Sequence, residues 1–170
     1  MSDFSISRRG FLASAAAGFA SAVVAAPLVN SLPAQQPARR SLPAGLPKDI
    51  VIYKDPNCGC CTEWVKHVQA AGFTTTIHDT PDMSTVRTTM GVPVALQSCH
   101  TAKVGNYLVE GHVPADLIVR MLTEKKADMR GIAVPGMPAG SPGMEMGARK
   151  DRYDVMAFDK AGKSRVYASR

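Results

Sequence analysis

Hydrophobic and polar positions follow strand-like and helix-like spacings in turn along residues 49–91. The β-branched and aromatic run DIVIYKD at 49–55 predicts a buried strand. Cys61, Trp64 and Val68 recur at helical spacing, so they predict a helix within 60–72 that stops at Gly72. FTTTIHD at 73–79 predicts a second strand, and DMSTVRTTMG at 82–91 predicts a short helix.

The second half of the chain continues with a hairpin, a helix, a loop and another hairpin. HTAKVGNYLVEGHV at 100–113 predicts two strands joined by a tight turn at Gly105-Asn106. PADLIVRMLTEKK at 114–126 predicts a helix with Pro114 in its first turn. GIAVPGMPAGSPGMEMG at 131–147 predicts a Met/Pro/Gly-rich loop, and residues 153–169 predict a hairpin that turns at 160–162.

This order of elements indicates an α/β fold. Strand, helix, strand, helix, strand, strand, helix, with cysteines after the first strand, predicts a thioredoxin-like mixed sheet flanked by helices. The C-terminal Met/Pro/Gly-rich loop and an added β-hairpin complete it. A right-handed crossover makes the first two strands parallel, and the third strand then runs antiparallel to the first.

The N-terminal region predicts export rather than a folded element. Arg8 and Arg9 precede an Ala-rich apolar run, a pattern that resembles a twin-arginine export signal. The run is long enough to span a bilayer, but its Ala and Gly are weakly hydrophobic. We expect residues 1–34 to be a cleaved signal, 35–48 a linker and 49–170 a thioredoxin-like metal-binding domain. The expected location is periplasmic, with no stable membrane anchor after cleavage.

Composition and charge argue against several classes of function. The 20 basic and 14 acidic residues give a net charge of +6, but the basic residues are scattered. The sequence has no basic block interleaved with aromatic residues, which is the pattern that would indicate nucleic acid binding. The sequence also has no Gly-rich phosphate loop and no G-x-S-x-G motif.

The segment DPNCGCCTEW at 55–64 holds the first candidate chemistry. Cys58 and Cys61 have the C-x-x-C spacing of a thiol–disulfide enzyme, and Cys60 stands between them. Exported thiols tend to become disulfides, yet at most one of these three can bridge Cys99. A redox centre, a metal site and a disulfide-stapled binding module therefore remain as alternatives.

The register of the predicted hairpin brings Cys99 to this cluster. If Val104 pairs with Tyr107, then Cys99 faces His112 at the open end of the hairpin, near the end of the first strand. Four thiols therefore converge. Cys60 and Cys61 lie in the first turn of a helix, where the helix dipole favours thiolate.

The crowding of the cysteines favours copper over other metals. Zinc uses four tetrahedral ligands that are usually spaced by two or more residues, and iron–sulfur clusters use wider cysteine runs. Cu(I) is soft and prefers thiolate and thioether ligands. We therefore expect the site to bind Cu(I). If each sulfur is shared between two copper ions, the site holds several ions bridged by thiolates. Candidate additional or supporting ligands are His100, His112, Met137, Met144 and Met146.

Three blocks of the sequence resemble a known family. YKDPNCGCCTEWVKHVQAAGF, GVPVALQSCHTAKVGNYLVEGHVPADLI and GIAVPGMPAGSPGME resemble the signature blocks of the CopG-type periplasmic metal-binding proteins. The resemblance covers about residues 48–169. It implies a thioredoxin-like fold, copper binding and association with copper resistance, with Cys58, Cys60, Cys61 and Cys99 as ligands.

The leading hypothesis is a periplasmic protein that binds Cu(I) for sequestration or resistance and has a capacity for copper redox chemistry. Its expected partners are copper ions and other periplasmic copper-handling proteins. The alternative hypothesis is a periplasmic thiol–disulfide oxidoreductase that uses Cys58 and Cys61.

Overall fold

The computed structural model describes residues 41–170 of the chain. The export signal predicted for residues 1–34 and the first part of the linker, residues 35–40, lie outside the described residues. Between residues 41 and 170, no helix combines the length and the apolar character needed to cross a membrane.

Within residues 41–170, ten helices and strands follow one another in the order that the sequence pattern predicts, with one addition. They are β1 (Asp49–Lys54), α1 (Gly59–Ala70), β2 (Thr74–Asp79), α2 (Met83–Met90), β3 (His100–Val104), β4 (Tyr107–Glu110), α3 (Ala115–Glu124), β5 (Gly131–Ala133), β6 (Asp154–Phe158) and β7 (Ser164–Ser169). A 3-10 turn, Val94–Leu96, lies between α2 and β3.

All seven strands form one mixed sheet in the order β2-β1-β3-β4-β5-β6-β7. β1 pairs in parallel with β2 and antiparallel with β3, as expected. In the β3–β4 hairpin Val104 lies opposite Tyr107, which is the predicted register. The mixed α/β class is thereby confirmed, whereas the thioredoxin-like assignment stays a prediction.

The addition is β5, a three-residue strand within the segment predicted as a loop. It runs parallel to β4 and antiparallel to β6. The C-terminal hairpin, predicted as an added β-hairpin, therefore continues the main sheet. Gly131 permits this pairing, because a Cβ atom there would collide with the Leu108 carbonyl of β4.

The core joins the sheet to α1 and α3. Ile50 and Ile52 of β1, Trp64 of α1 and Ile118 of α3 are fully buried within one apolar cluster. The indole Nε1 of Trp64 donates a hydrogen bond of 2.9 Å to the carbonyl of Val113, just before α3. This contact satisfies the buried indole and fixes α1 so that its N-terminus lies at the end of β1.

Candidate metal centre

The N-terminus of α1 is built around the first cysteine. Cys58 is the N-cap residue, and its sulfur accepts a hydrogen bond from the backbone amide of Cys61 at 3.3 Å. The amide and the positive end of the helix dipole both point at this sulfur, an arrangement that stabilises a thiolate once such a sulfur is reduced.

The four cysteine sulfurs lie close together. Their Sγ atoms are all within 4.8 Å of one another. Cys58 and Cys61 form a disulfide, and Cys60 and Cys99 are free. The Cys60 sulfur lies 3.6 Å from that of Cys58. The predicted convergence of Cys99 on the cluster is therefore present in the structure. The disulfide spans a separation of only three residues, so it does not staple distant segments.

His112 faces Cys99 with one ring nitrogen and the backbone with the other. Its Nδ1 lies 2.7 Å from the carbonyl oxygen of Pro142, which can only accept a hydrogen bond. Nδ1 therefore carries the proton. Burial lowers the pKa of His112, so the ring is neutral near pH 7. Its unprotonated Nε2 points at the Cys99 sulfur, 2.8 Å away, and is a ready metal ligand.

His100 lies on the inner side of the same cluster. It is fully buried, and its Nδ1 lies 3.6 Å from the Cys99 sulfur. Its ring packs against Trp64, with 4.3 Å between ring centroids. Its Nε2 is buried without a hydrogen-bond partner among the described residues. Burial holds the pKa of His100 well below its ordinary value, and the nearby His112 acts in the same direction.

Cys99, His100 and His112 form a second group whose ligand atoms lie within 4.8 Å of one another. This group shares Cys99 with the four-cysteine cluster. Burial, and then the charge of Cys60, raise the pKa of the Cys99 thiol. A metal at Cys99 must therefore displace a proton, and metal binding at this position releases protons to solvent.

The Met/Pro/Gly-rich loop reaches the cluster through its backbone. The carbonyl of Pro142 holds His112, and Gly143 packs against the carbonyl of Cys60. Met137 and Met146 are largely exposed, and Met144 is half-buried. The ligand roles of the three methionines stay predictions.

Sequence reasoning missed three residues that support the cluster. Pro142 acts through its carbonyl, which leaves no side-chain signal in the sequence. Glu110 and Arg87 form an ion pair with 3.3 Å between Oε1 and Nε, and the Glu110 side chain is fully buried. The sequence did contain a signal for this pair, a carboxylate within the apolar run YLVEGHV. Buried carboxylates are rare unless they are paired, so a partner for Glu110 could have been expected.

We expect Gly143→Ala to lower the free energy of unfolding more than Gly147→Ala. Both glycines have positive φ, +85° and +62°, so alanine costs about 1–2 kcal/mol at either position through backbone strain. At Gly143 the new Cβ would also lie 2.7 Å from the Cys60 carbonyl oxygen and from the Trp64 nitrogen. Gly147 has open space around it. The overpacking at Gly143 adds about 1–3 kcal/mol.

Urea unfolding of the two variants measures this difference. Equal losses of stability would show that the loop around Gly143 is not closely packed against the start of α1.

Comparisons with known proteins agree with this geometry. The family model described as "Protein of unknown function, DUF411" matches residues 96–144, which include Cys99, His100 and His112. Two solved structures, both named copper resistance protein copG, Form 1 and Form 2, are 48% and 47% identical to the chain. Each has a TM-score of 0.69, and the match covers 73% of this chain and 98% of theirs. The chain belongs to the CopG-type copper-resistance family.

Membership of the CopG-type family confirms the resemblance seen in the sequence. The match spans nearly the whole length of the CopG structures, so their mixed α/β architecture is shared. Their name associates those proteins with copper resistance. In this CopG-type chain, the cysteine cluster is a group that could hold a metal ion. No curated protein matches the sequence.

Proposed function

We propose that this chain is a periplasmic copper-binding protein that holds Cu(I) on Cys58, Cys60, Cys61 and Cys99 and so sequesters copper. The observation that carries the proposal is the placement of all four sulfurs within 4.8 Å of one another. The relatives named copper resistance protein support the choice of metal.

The donor set fits Cu(I) in softness and in crowding. Thiolates and neutral imidazoles suit a soft monovalent ion. Three cysteines within four positions are crowded for a single tetrahedral zinc site, whereas thiolates shared between neighbouring Cu(I) ions tolerate short sulfur–sulfur distances. The proposal therefore includes a thiolate-bridged cluster of several ions, with His112 as an additional ligand through Nε2.

The Cys58–Cys61 disulfide must open before all four sulfurs can act as ligands. Opening breaks the sulfur–sulfur bond and takes up two electrons and two protons to give two thiols. A dithiol reductant supplies them and is itself oxidised to a disulfide. Copper binding then displaces the thiol protons, because thiolate is the ligating form.

Export places this chemistry outside the cytoplasm. We assign residues 1–34 as the cleaved twin-arginine signal, 35–48 as a linker and 49–170 as the metal-binding domain. Recovery of the uncleaved chain from the cytoplasmic fraction of a bacterial host with a working twin-arginine system would contradict this part of the proposal.

Anaerobic titration with Cu(I) tests the function directly. Protein reduced with a phosphine and freed of reductant is compared with protein whose Cys58–Cys61 disulfide is intact, and copper per chain is counted by elemental analysis. We expect the reduced form to retain copper through gel filtration and the oxidised form to retain less, because the disulfide removes two of the four thiolates. Absence of copper from the reduced form, or equal loading of both forms, would overturn the proposal.

The second candidate function is thiol–disulfide exchange, and the disulfide itself favours it. A C-x-x-C pair at a helix N-terminus is the arrangement in which the N-terminal sulfur is activated as a thiolate. Reduction of insulin disulfides by the reduced chain, at a rate unaffected by Cys60→Ser, would support this alternative.

A further inference from the structure

Ser98, the residue just before Cys99, makes a hydrogen bond through each of its polar groups. The backbone N–H of Ser98 donates to Oε1 of Glu110 at 2.7 Å. The backbone carbonyl of Ser98 accepts from Nη2 of Arg87, and its hydroxyl donates to the carbonyl of Gly136. Ser98 lies outside any helix or strand, so these contacts replace the hydrogen bonds of regular structure.

Glu110 connects this segment to the sheet. Its side chain is fully buried at the end of β4. Oε1 accepts from the Ser98 amide and from Nε of Arg87. Oε2 accepts from the hydroxyl of Thr101 at 2.6 Å. Both carboxylate oxygens are therefore used, and three elements meet at one buried charge.

Arg87 closes the arrangement from the other side. It belongs to α2, and its guanidinium contacts both the Glu110 carboxylate and the Ser98 carbonyl. A planar guanidinium can make both contacts from fixed directions, which a lysine ammonium does not reproduce. The pair thus contacts the N–H and the C=O of the residue that precedes Cys99.

We propose that the Arg87–Glu110 pair positions Cys99, holding its sulfur against His112 and within the cysteine cluster. This inference rests on the proposed copper function for its metal readout. It assigns neither Arg87 nor Glu110 as a ligand, because both act on Cys99 through the Ser98 backbone. In this arrangement the buried carboxylate orients a ligand, as supporting residues around metal centres commonly do.

The main variant is Glu110→Gln, which keeps the shape of the side chain and removes its charge. The glutamine amide keeps one accepting oxygen, which is weaker than a carboxylate oxygen, and its NH2 group cannot accept a hydrogen bond, so at least one of the contacts with Ser98, Arg87 and Thr101 is lost and the segment before Cys99 loosens. We expect Cu(I) affinity to fall by about 10- to 100-fold, the range seen for residues that support metal ligands. Competition with a chromophoric Cu(I) chelator under anaerobic conditions measures the affinity.

A second readout needs no metal. In a Cys60→Ser background with the Cys58–Cys61 disulfide closed, Cys99 is the remaining free thiol of the four cysteines. Cys99 is half-buried and its sulfur lies against the His112 ring, 2.8 Å from Nε2, so access of an alkylating reagent is restricted. We expect Glu110→Gln to speed alkylation by iodoacetamide severalfold, as followed by mass spectrometry. This readout separates the two proposals, because it responds to the position of Cys99 even if the wild-type chain binds no copper.

A control variant tests whether general destabilisation could produce the same effects. Val155→Ala truncates a buried side chain of β6. It should lower the unfolding temperature without changing Cu(I) affinity or Cys99 alkylation.

Arg87→Lys is a second test of the proposal. It keeps the positive charge but cannot contact both the Glu110 carboxylate and the Ser98 carbonyl, so an intermediate loss of Cu(I) affinity is expected. It also serves as the test if Glu110→Gln does not fold.

The inference is overturned if folded Glu110→Gln and Arg87→Lys both alkylate at the wild-type rate. Equal effects of Val155→Ala on affinity and alkylation would overturn it as well, because the cause would then be lost stability.

Discussion

Cys60→Ser and Cys99→Ser are each expected to weaken Cu(I) binding by more than about 100-fold, which exceeds the usual effect of removing a residue that only supports a metal ligand. Serine has nearly the shape of cysteine but offers a hard oxygen that Cu(I) disfavours. Neither substitution removes a member of the Cys58–Cys61 pair. The two proposed functions therefore respond differently to the same change.

Two measurements on each variant separate the functions. Anaerobic competition with a chromophoric chelator gives Cu(I) affinity, and an insulin reduction assay gives dithiol activity. The copper proposal predicts that both variants lose Cu(I) affinity, whether or not they keep dithiol activity. Wild-type copper affinity in either variant would show that the sulfur removed is not a ligand.

Cys58→Ser is the matched control for this comparison. It removes a proposed copper ligand and also half of the C-x-x-C pair, so both functions should fail. A Cys58→Ser variant that still reduces insulin would show that the reductase signal comes from a contaminant.

The part of this site that could be predicted follows from local pattern and turn chemistry. Gly105-Asn106 between β-rich runs fixes the hairpin, and the hairpin fixes the register that places Cys99 opposite His112. The helical spacing of Cys61 and Trp64 predicts α1, which begins at Gly59, one residue earlier than predicted. Both inferences use contacts between residues that are near in sequence, or joined by one turn.

The part that could not be predicted depends on long-range backbone contacts. β5 is only three residues long, and its strand character comes from pairing with β4 and β6, not from its own pattern. Pro142 orients His112 with a carbonyl that any residue would carry. Arg87 and Glu110 lie 23 residues apart, and their ion pair requires knowledge of how α2 packs on the hairpin.

Metal-free protein with its disulfide intact is expected to lose stability as the pH falls from 7.5 to 5.5. Burial lowers the pKa of His100, His112 and His67 in the folded chain. The unfolded chain therefore binds protons first, near the ordinary histidine pKa of about 6.5. The stabilisation is complete above that pH and is lost as the pH falls through it towards the folded-state pKa values.

The fully buried His100 sets the size of this effect. One proton bound only by the unfolded chain gives a slope of about 1.4 kcal/mol per pH unit. His112 adds in the same direction, and His67 adds less because it is half-exposed. Glu110 acts in the opposite direction, because burial raises its pKa, so that the folded chain takes up a proton more readily than the unfolded chain.

Urea unfolding of wild type and His100→Leu at several pH values isolates the contribution of His100. The variant should show a shallower dependence on pH by up to about 1.4 kcal/mol per pH unit, whatever its absolute stability. Val155→Ala, which changes packing in β6 without removing a titrating group, should lower stability at every pH and leave the slope unchanged. Parallel pH profiles for wild type and His100→Leu would mean that His100 is protonated to the same extent in the folded and unfolded chains, and would contradict a neutral imidazole beside Cys99.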